Sequence, residues 1–285
     1  MPELPEVETI TNDLKKKLLN KRIIAIEVRL PKIIKGDPGL FQKVLKGSEF
    51  LDIDRRGKLM IFTLKNKQFL LIHLKMTGQL VYREKGRTIA GGHSQKSMGL
   101  DLPNKYSHVI FTFADQSQLF FNDLRQFGYL RLVNQAELTQ VLAKFGVEPL
   151  GPDFTFLKWQ QLLQNKKRNI KAFLLDQSLI AGIGNIYADE ILFASHVHPK
   201  RRTQTLSATE QKAIFENTKK ILQKAVNQRG TTFNNYVDAD GKKGNFKNFL
   251  QVYKKEGQPC AICGKSIQKT KIAGRGTRFC PKCQT

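Results

Sequence analysis

The spacing of apolar residues changes early in the chain. Val7, Ile10, Leu14 and Leu18 recur at helical spacing, which predicts one amphipathic helix beginning near Glu6. From residue 24 to residue 30 apolar positions alternate with others, as they do in a strand. Further strand-like runs are Leu59–Leu64, Phe69–Leu74, His108–Phe113, Gln118–Phe121 and Tyr129–Val133. These patterns predict a β-rich region of two packed sheets with a helix at its start.

The second half of the chain has a helical pattern instead. A break is predicted at the prolines and glycine of residues 148–152. Beyond it, helices are predicted at 156–164, 170–176 and 185–195, and a capping box at Ser207–Glu210 opens a helix that runs to about residue 228. In the first half, the polar stretch Glu84–Lys105 is predicted to be a long loop. The predicted fold class is α+β multidomain, with domains at 1–149, 150–248 and 249–285.

The net charge changes this picture by indicating a partner. The 285 residues include 48 Lys and Arg against 24 Asp and Glu, a formal charge of +24. Such a charge favours a polyanion, and nucleic acid is the first candidate. A merely basic protein is one alternative. An anionic membrane surface is a weaker one, because no basic helix has an aromatic face. No membrane span or secretory signal is predicted, and the few cysteines favour the reducing cytosol.

Two CxxC pairs near the end of the chain predict a metal site. Cys260 and Cys263 form the first pair, Cys280 and Cys283 the second, and 16 residues separate them. Four thiolates on two knuckles are typical of structural zinc, with no ligand position left open for catalysis. Disulfide pairing is the alternative, which a reducing compartment disfavours.

The segment between the two cysteine pairs holds a candidate phosphate ligand. Gly274 and Gly276 flank Arg275, which predicts the tip of a β-hairpin that presents the arginine outward. Arginine binds phosphate in a bidentate manner. A solvated turn arginine without a ligand is the alternative.

A glycine-containing stretch, Ala181–Tyr187, lies between two predicted helices. Gly182 and Gly184 permit close backbone approach, and the N-terminus of the next helix offers N–H groups to an anion. Such a turn alone indicates little. Positive charge just upstream strengthens the prediction of a phosphate site: Lys166, Lys167, Arg168 and Lys171.

The first eight residues combine prolines with carboxylates. Removal of Met1 would leave Pro2 with a secondary amine, which is partly neutral near pH 7 because α-amino groups have a pKa of about 7.7–8.0. A neutral amine beside Glu3 and Glu6 can attack a sugar C1′ and form an iminium. The alternative is an acidic, proline-containing helix start, with Glu8 complementing the helix dipole.

Three motifs resemble those of one protein family, and they occur along the chain in the same order as in that family. The start at residues 2–8, the turn at 182–187 and the terminal zinc hairpin resemble the bacterial formamidopyrimidine-DNA glycosylases over nearly the whole chain. The related endonuclease VIII enzymes typically begin Pro-Glu-Gly-Pro-Glu, so Leu4 favours the first branch. The resemblance implies a catalytic N-terminal β-sandwich, a helix–two-turn–helix DNA-binding domain and a zinc finger that holds one structural zinc ion.

The same resemblance implies a function in base-excision repair. The protein would remove oxidised purines, such as 8-oxoguanine and formamidopyrimidines, from double-stranded DNA in the bacterial cytosol, and would act as a monomer without membrane contact. It would then cleave the strand as an abasic-site lyase, by β,δ-elimination through a Schiff base on the N-terminal proline.

The resemblance also implies roles for individual residues. Pro2 resembles the nucleophile, Glu3 the general acid and base, and Glu6 a supporting acid. Lys58 and Arg275 resemble phosphate-contacting members of the catalytic set. The DNA-binding residues predicted in this way are His108, Arg125 and Asn185, and the positive charge upstream of the glycine turn adds Lys167. Three residues resemble those that fill the gap left by an extruded nucleotide: Met76, Arg125 and Phe127. Hydropathy alone would place Met76 and Phe127 in the core.

Two positions depart from the family pattern. Tyr106 stands where the family commonly has a histidine, which removes an expected phosphate contact, and Gln126 stands where it has arginine or lysine. Two other functions stay open at this stage. One is an endonuclease VIII-like glycosylase for oxidised pyrimidines, and the other is a non-catalytic DNA-binding zinc protein. The polar stretch Gly230–Asn248 is the predicted site for the extruded base, and a simple connector is the alternative.

Overall fold

The chain divides into two compact units. A computed structural model describes residues 1–84, 87–92 (backbone only), 101–231 and 244–285. One unit comprises Met1–Ala143 with Arg229–Asn245, and the other comprises Lys144–Gln228 with Phe246–Thr285. Within the described residues, no helix is long and apolar enough to span a membrane.

The N-terminal helix, α1, spans Leu4–Leu18 and confirms the helix predicted from apolar spacing. It begins two residues before the predicted start, because Pro5 suits the first helical turn, where its missing N–H costs nothing. The four apolar residues that predicted the helix are all buried. Three consecutive lysines, residues 15–17, lie in its last turn, where positive charge complements the helix dipole. α1 therefore gives the first residues of the chain a rigid support.

The first unit contains two antiparallel sheets. One has the strand order β1-β7-β8-β5-β6 and the other β2-β3-β4-β9. The strands are β1 Ile23–Val28, β2 Phe50–Arg56, β3 Leu59–Leu64, β4 Phe69–His73, β5 Gly78–Glu84, β6 Arg87–Gly92, β7 Ser107–Phe113, β8 Gln118–Asp123 and β9 Tyr129–Val133. Two short helices, α2 (Pro38–Leu45) and α3 (Gln135–Leu142), also belong to this unit.

The two sheets share one hydrophobic core, as the alternating patterns predicted. Phe50 and Phe62 on one sheet and Phe111 and Phe113 on the other are fully buried in a single apolar cluster. The rings of Phe50 and Phe113 lie 6.3 Å apart between centroids. The buried stripe of α1 joins the same cluster. The N-terminus is thus attached to the core of a β-sandwich.

The structure corrects the strand prediction in three places. β2 was not predicted, because a register irregularity between Phe50 and Asp52 interrupts its alternation. β5 was missed because it lies between two strands and its first five residues are all buried, so no alternation is visible. The predicted loop Glu84–Lys105 is wrong over Arg87–Gly92, which forms β6 and pairs with β5. Residues 85–86 and 93–100 of that prediction lie outside the described residues.

The second unit is built around four helices, which occur where they were predicted. They are α4 Phe156–Leu163, α5 Ile170–Leu175, α6 Asn185–Ala194 and α7 Ala208–Asn227. The capping box of α7 is confirmed, since Glu210 N donates to Ser207 Oγ at 3.2 Å and Ser207 N donates to Glu210 Oε2 at 2.7 Å.

The cysteine-bearing end forms a hairpin that packs on α6. Strands β10 (Gln268–Ile272) and β11 (Arg275–Phe279) pair directly, and the turn between them is Ala273-Gly274. Both turn residues have positive φ, at 49° and 73°. The buried carboxylate of Glu190 on α6 accepts hydrogen bonds from the backbone of residues 251–253 at 2.8–3.0 Å. This cluster joins the chain before the cysteines to the helices.

Candidate functional site

The first residues of the chain are held from two sides. Pro2 and Glu3 are buried, while Met1 is 37% exposed. Glu3 N donates to Glu6 Oε2 at 2.9 Å. The other oxygen, Glu6 Oε1, accepts from Thr231 N at 2.7 Å and from Thr231 Oγ1 at 2.9 Å. The predicted acids Glu3 and Glu6 are therefore adjacent to Pro2, and Glu6 is fixed at both oxygens.

The carboxylate of Glu8 has a different partner. Its Oε2 accepts from Arg55 Nε at 2.5 Å, and the Arg55 side chain is 9% exposed. This ion pair ties α1 to β2.

Lys58 occupies the tight turn between β2 and β3, which agrees with its resemblance to the family's lysine between two strands. Gly57, with a φ of 57°, begins the reversal, and Lys58 is 5% exposed. A buried ammonium group raises the local positive potential. Burial, followed by the charges of Lys75 and Lys58, lowers the pKa of His73 to about 3.

His73 was missed by sequence reasoning. It ends β4, and its Nδ1 accepts from Lys75 N at 3.0 Å. An accepting Nδ1 and a pKa near 3 mean that the imidazole is neutral at pH 7, with its proton on Nε2. The available signal was its place three residues before Met76, at the end of an apolar run.

The three residues predicted to fill a gap in DNA are on the surface. Met76 is 37% exposed, Phe127 is 54% exposed and Arg125 is exposed. The Arg125 guanidinium lies over the Phe127 ring, 4.6 Å from its centroid. Assignment of Met76 and Phe127 to the core from hydropathy alone is therefore wrong. Exposed apolar side chains beside an arginine are suited to contact with a partner.

One buried carboxylate, Asp123, supports both turns that carry these side chains. Asp123 Oδ1 accepts from Thr77 Oγ1, next to Met76. It also accepts from Arg125 N at 3.2 Å, and Oδ2 accepts from Gly128 N at 2.7 Å. Asp123 thus fixes the backbone on either side of Phe127.

The buried ring of His108 adds to this support. Its Nε2 is 2.7 Å from the carbonyl oxygen of Asp123, and the side chain is 4% exposed. The DNA contact of His108 stays a prediction. Gln126, where the family has a basic residue, is exposed with a φ of 57°. At Tyr106, the backbone carbonyl accepts from Asp123 N at 3.1 Å.

In the second unit, the glycine turn precedes α6 as predicted. Gly182 adopts a φ of 96°, which a residue with a side chain rarely adopts. Gln177 braces the turn, because its Oε1 accepts from Gly182 N at 2.9 Å and its Nε2 donates to Ile183 O at 2.8 Å. Asn185 is the first residue of α6, at the positive end of the helix dipole.

The turn is connected to the zinc hairpin. Asn185 Nδ2 donates to Gly276 O at 2.9 Å. Arg275, the residue before Gly276, is exposed and begins β11. It lies beside the hairpin tip rather than at it, because the turn residues are Ala273 and Gly274. The structure therefore brings Asn185 and the Arg275–Gly276 backbone together.

A buried ion pair lies behind this contact. Lys171 Nζ is 2.7 Å from Asp189 Oδ1, and both side chains are 0% exposed. Lys171 Nζ also donates to Thr277 Oγ1 at 2.7 Å, and Arg278 N donates to Asp189 Oδ2 at 3.0 Å. Burial raises the pKa of Asp189 to about 6, against the opposing effect of Lys171. Lys171 was predicted only as upstream positive charge.

Lys167 differs from Lys171 in its surroundings. Its side chain is exposed, and its carbonyl oxygen accepts from Arg202 Nη1 at 3.4 Å. Its role as a DNA-binding residue stays a prediction. For the predicted base site at 230–248, residues 232–243 lie outside the described part of the chain.

The four cysteines form a site that fits zinc. Their sulfur atoms all lie within 4.8 Å of one another. The Sγ atoms of Cys260 and Cys283 are 3.8 Å apart, and those of Cys263 and Cys280 are 3.4 Å apart. Tetrahedral zinc with Zn–S bonds of about 2.3 Å requires sulfur atoms about 3.8 Å apart. The predicted disulfide alternative fails, because all four cysteines are unpaired thiols.

Comparison with protein families gives three matches in chain order. Residues 1–130 match the formamidopyrimidine-DNA glycosylase N-terminal domain, and residues 145–236 match the formamidopyrimidine-DNA glycosylase H2TH domain. Residues 257–285 match the zinc finger found in FPG and IleRS. These matches agree with the β-sandwich, the helical unit and the zinc site, and the cysteines hold one structural zinc ion.

Individual relatives match over the full length. The formamidopyrimidine-DNA glycosylase of Mycoplasma genitalium is 42% identical over 285 residues, covering 100% of this chain and 96% of the relative. That of Streptococcus pneumoniae is 41% identical, covering 100% and 99%. A Lactococcus lactis FPG mutant, solved with Fapy-dG-containing DNA, superposes with a TM-score of 0.89 at 36% identity and full coverage of both chains. The Lactococcus lactis protein with abasic-site DNA gives 0.88, at 36% identity and 99% coverage of each chain.

Proposed function

The chain belongs to the formamidopyrimidine-DNA glycosylase family, a family of DNA glycosylases of base-excision repair, and on that premise we propose that it excises oxidised purines from double-stranded DNA and then cuts the strand. The substrates are 8-oxoguanine and formamidopyrimidines. The second activity is that of an abasic-site lyase, acting by β,δ-elimination. Solved relatives bound to Fapy-dG-containing and abasic-site DNA support both parts of the proposal.

The observation that carries the proposal is the arrangement at the N-terminus. Glu3 is buried beside Pro2 at the start of a helix fixed to the core, and Glu6 is bonded at both oxygens. A reacting amine and a proton-transfer group must be held in one geometry to act together. Glu3 and Glu6 also form a capping box at the start of α1, which is the structural part of their role. Acids of a simple helix start usually lie in water, so the burial of Glu3 beside the Pro2 nitrogen is what favours chemistry.

In this proposal Met1 is removed and the neutral Pro2 nitrogen attacks C1′ of the damaged nucleotide. The C1′–N9 bond breaks, the base leaves with a proton, and Glu3 transfers protons as the sugar ring opens. The nitrogen lone pair and C1′ form an iminium, which acidifies the C2′ hydrogen. Loss of that proton expels the 3′-phosphate, and a second elimination expels the 5′-phosphate. No oxidant or reductant is needed.

The remaining predicted residues bind and reshape the DNA. Lys58, Asn185 and Arg275 contact phosphates, because each is a cationic or amide donor. Lys58 is in a tight turn, Asn185 begins a helix and Arg275 begins a strand next to the hairpin turn. A base inside the duplex is out of reach, so the nucleotide is extruded at a cost of a few kcal/mol. The exposed Met76 and Phe127 side chains replace the lost stacking, and Arg125 bonds the orphaned partner base.

Excision assays on a panel of duplexes test the proposal. Single lesions of 8-oxoguanine, formamidopyrimidine and an oxidised pyrimidine are placed in one sequence, and rates are measured under single-turnover conditions. We expect the purine lesions to react at least about tenfold faster, a difference of about 1.4 kcal/mol in the barrier. The strand should end in phosphates on both sides of a one-nucleotide gap.

Each alternative has its own outcome in that assay. Faster reaction of the oxidised pyrimidine would indicate an endonuclease VIII-like enzyme. Tight binding of every duplex without any excision would indicate a non-catalytic DNA-binding zinc protein. Sedimentation of the protein on DNA tests the predicted monomer, and its cytosolic location stays a prediction.

A further inference from the structure

Arg229 and Asp13 form a close ion pair within the first unit. Arg229 Nη2 is 2.7 Å from Asp13 Oδ1 and 2.5 Å from Asp13 Oδ2. The Asp13 side chain is 5% exposed and that of Arg229 is 30% exposed. A carboxylate buried to this degree is costly unless it is paired, so the guanidinium is a strong partner for it. The pair joins the segment Arg229–Thr231 to α1.

The backbone of this segment is shaped to lie against the N-terminal site. Arg229 has a φ of 61°, a left-handed conformation that is uncommon for a residue with a side chain, and Gly230 follows with a φ of 78°. A Cβ at Gly230 would lie 2.7 Å from Glu6 Oε1. Thr231 then donates both of its hydrogen bonds to that same oxygen. The turn therefore brings main chain directly onto the Glu6 carboxylate.

Asp13 and Glu6 lie seven residues apart on α1, so they share one face, two turns apart. The segment is thus attached to α1 at two points, at Asp13 through Arg229 and at Glu6 through Thr231. Glu6 in turn accepts from Glu3 N with its other oxygen. A continuous set of contacts runs from the ion pair to the residue beside Pro2.

We propose that Arg229 and Asp13 are positioning residues for the reaction, which hold Thr231 on Glu6 and thereby fix the Pro2–Glu3 backbone. Neither residue touches the reacting atoms. Loss of the pair frees the segment, so Glu6 loses its two contacts to Thr231 and the backbone at Glu3 gains freedom. The chemical step slows, while affinity for DNA, which depends on other residues, is kept. The proposal rests on the proposed glycosylase function.

Single-turnover excision of 8-oxoguanine by paired variants tests this role. We expect Arg229→Gln and Asp13→Asn each to slow excision about tenfold, because small displacements at a reacting centre cost that much or more. The double variant should be about as slow as either single variant, since both remove one interaction. Arg229→Lys keeps the charge and should stay within about threefold of wild type.

Two further measurements separate positioning from other effects. Affinity is measured with a duplex that carries an uncleavable abasic-site analogue, and it should not change. Arg29→Gln breaks the exposed Arg29–Glu27 pair, removes the same charge and should leave the excision rate unchanged. Thermal unfolding midpoints identify any variant that fails to fold, and the Arg229→Lys comparison still tests the pair in that event.

The contradicting results are distinct. If Arg229→Gln weakens DNA affinity while Asp13→Asn is fully active, Arg229 contacts DNA and the positioning role is wrong. If both single variants excise at the wild-type rate, the pair is only a surface ion pair. Failure of the wild-type protein itself to excise any lesion would instead overturn the proposed function.

Discussion

The N-terminal site and the zinc hairpin both use buried polar groups, but for opposite purposes. At the N-terminus the buried groups include those proposed to react, since Glu3 is 3% exposed and is held through Glu6. At the hairpin the buried groups are behind the functional side chain. Lys171 and Asp189 are fully buried, whereas Arg275 is exposed.

This difference follows from the chemistry of each region. Proton transfer and amine attack are favoured by shelter from water, because interactions there are stronger and geometry is maintained. A side chain that binds phosphate from the surface must instead reach solvent, so at the hairpin Arg275 is exposed and only its support is buried. Lys58, buried in its turn, is the exception among the proposed phosphate-binding residues. The lesson is that burial of a charged residue can mark either a reacting group or the support of one. Variants in the two regions should therefore fail in different ways.

The largest expected effect comes from the N-terminal site. Glu3→Gln removes the proposed proton-transfer group and should slow excision about 10²–10⁴-fold, the range typical of general acid–base catalysis. Single-turnover rates measure the loss. Affinity for an uncleavable abasic-site duplex should stay within about twofold of wild type, because Glu3 is assigned to chemistry and not to phosphate binding.

Glu8→Gln is the matched control for this experiment. Glu8 is on the same helix, but its carboxylate is paired with Arg55. Near-wild-type activity of Glu8→Gln is expected. Equal losses in the two variants would mean that neutralising either acid on α1 slows excision. The proposed role of Glu3 in proton transfer would then be contradicted.

The next effect should appear in stability rather than in rate. Lys171→Met leaves Asp189 buried without its cation, which should lower the free energy of unfolding by about 3–5 kcal/mol. Addition of Asp189→Asn should recover much of this loss, because the amide oxygen can still accept from Arg278 N. Urea denaturation of the zinc-loaded proteins gives both values.

The pKa of Asp189 predicts how the stability loss in Lys171→Met varies with pH. Its folded pKa, about 6, is above its ordinary value of 3.8, so the stability cost of ionising Asp189 grows as pH rises from 3.8 to 6 and is complete above 6. Loss of the Lys171 cation raises this pKa further, so in Lys171→Met the cost keeps growing above pH 6. The deficit of Lys171→Met should therefore be smaller at pH 5 than at pH 8. A stability deficit that is the same at both pH values would contradict the burial of the Asp189 carboxylate against Lys171.

Arg275→Ala should have a smaller effect, and on affinity. Loss of one charged hydrogen bond to phosphate should weaken DNA binding about 10–100-fold. The slope of log affinity against log salt should become shallower by about 0.9, as for one phosphate contact. Lys282→Ala removes an exposed charge from the same module and serves as the control. An unchanged slope in Arg275→Ala would contradict the phosphate contact.

The smallest effect at neutral pH concerns His73, whose contribution changes only in acid. Its folded pKa, about 3, is below the ordinary 6.5, so the stability that the neutral ring allows is present above pH 6.5 and lost as pH falls towards 3. His73→Gln should reduce the acid slope of the unfolding free energy by up to about 1.4 kcal/mol per pH unit. If the NMR signal assigned to His73 titrated near pH 6.5, that result would contradict the buried, neutral ring.

Much of the architecture was predictable because local patterns and tertiary structure agree. Helix α1, the strands at 59–64 and 129–133, and the capping box of α7 occur where spacing and capping residues indicated them. The zinc site was predictable because metal ligands recur at fixed spacing. β2 and β5 were not, since an irregular register and burial of consecutive residues remove the alternation on which a strand prediction depends.

The candidate site was predictable only in part, and for a physical reason. Pro2, Glu3 and Glu6 are neighbours in sequence, so their proximity follows from one helix start. Contacts that depend on distant residues left no local signal. The bonds of Thr231 to Glu6 and of Asn185 to Gly276 span 225 and 91 residues. The neutrality of His73 depends first on burial and then on the charges of Lys75 and Lys58, which lie in two different turns.

The proposed nucleophile is identified by the position of the covalent bond between protein and DNA. Borohydride is added during reaction with an 8-oxoguanine duplex, and the reduced adduct is digested and mapped by mass spectrometry. We expect one adduct, on the nitrogen of Pro2 in protein that has lost Met1. An adduct on a lysine such as Lys58, or no adduct while excision proceeds, would contradict the assignment of Pro2 as the nucleophile.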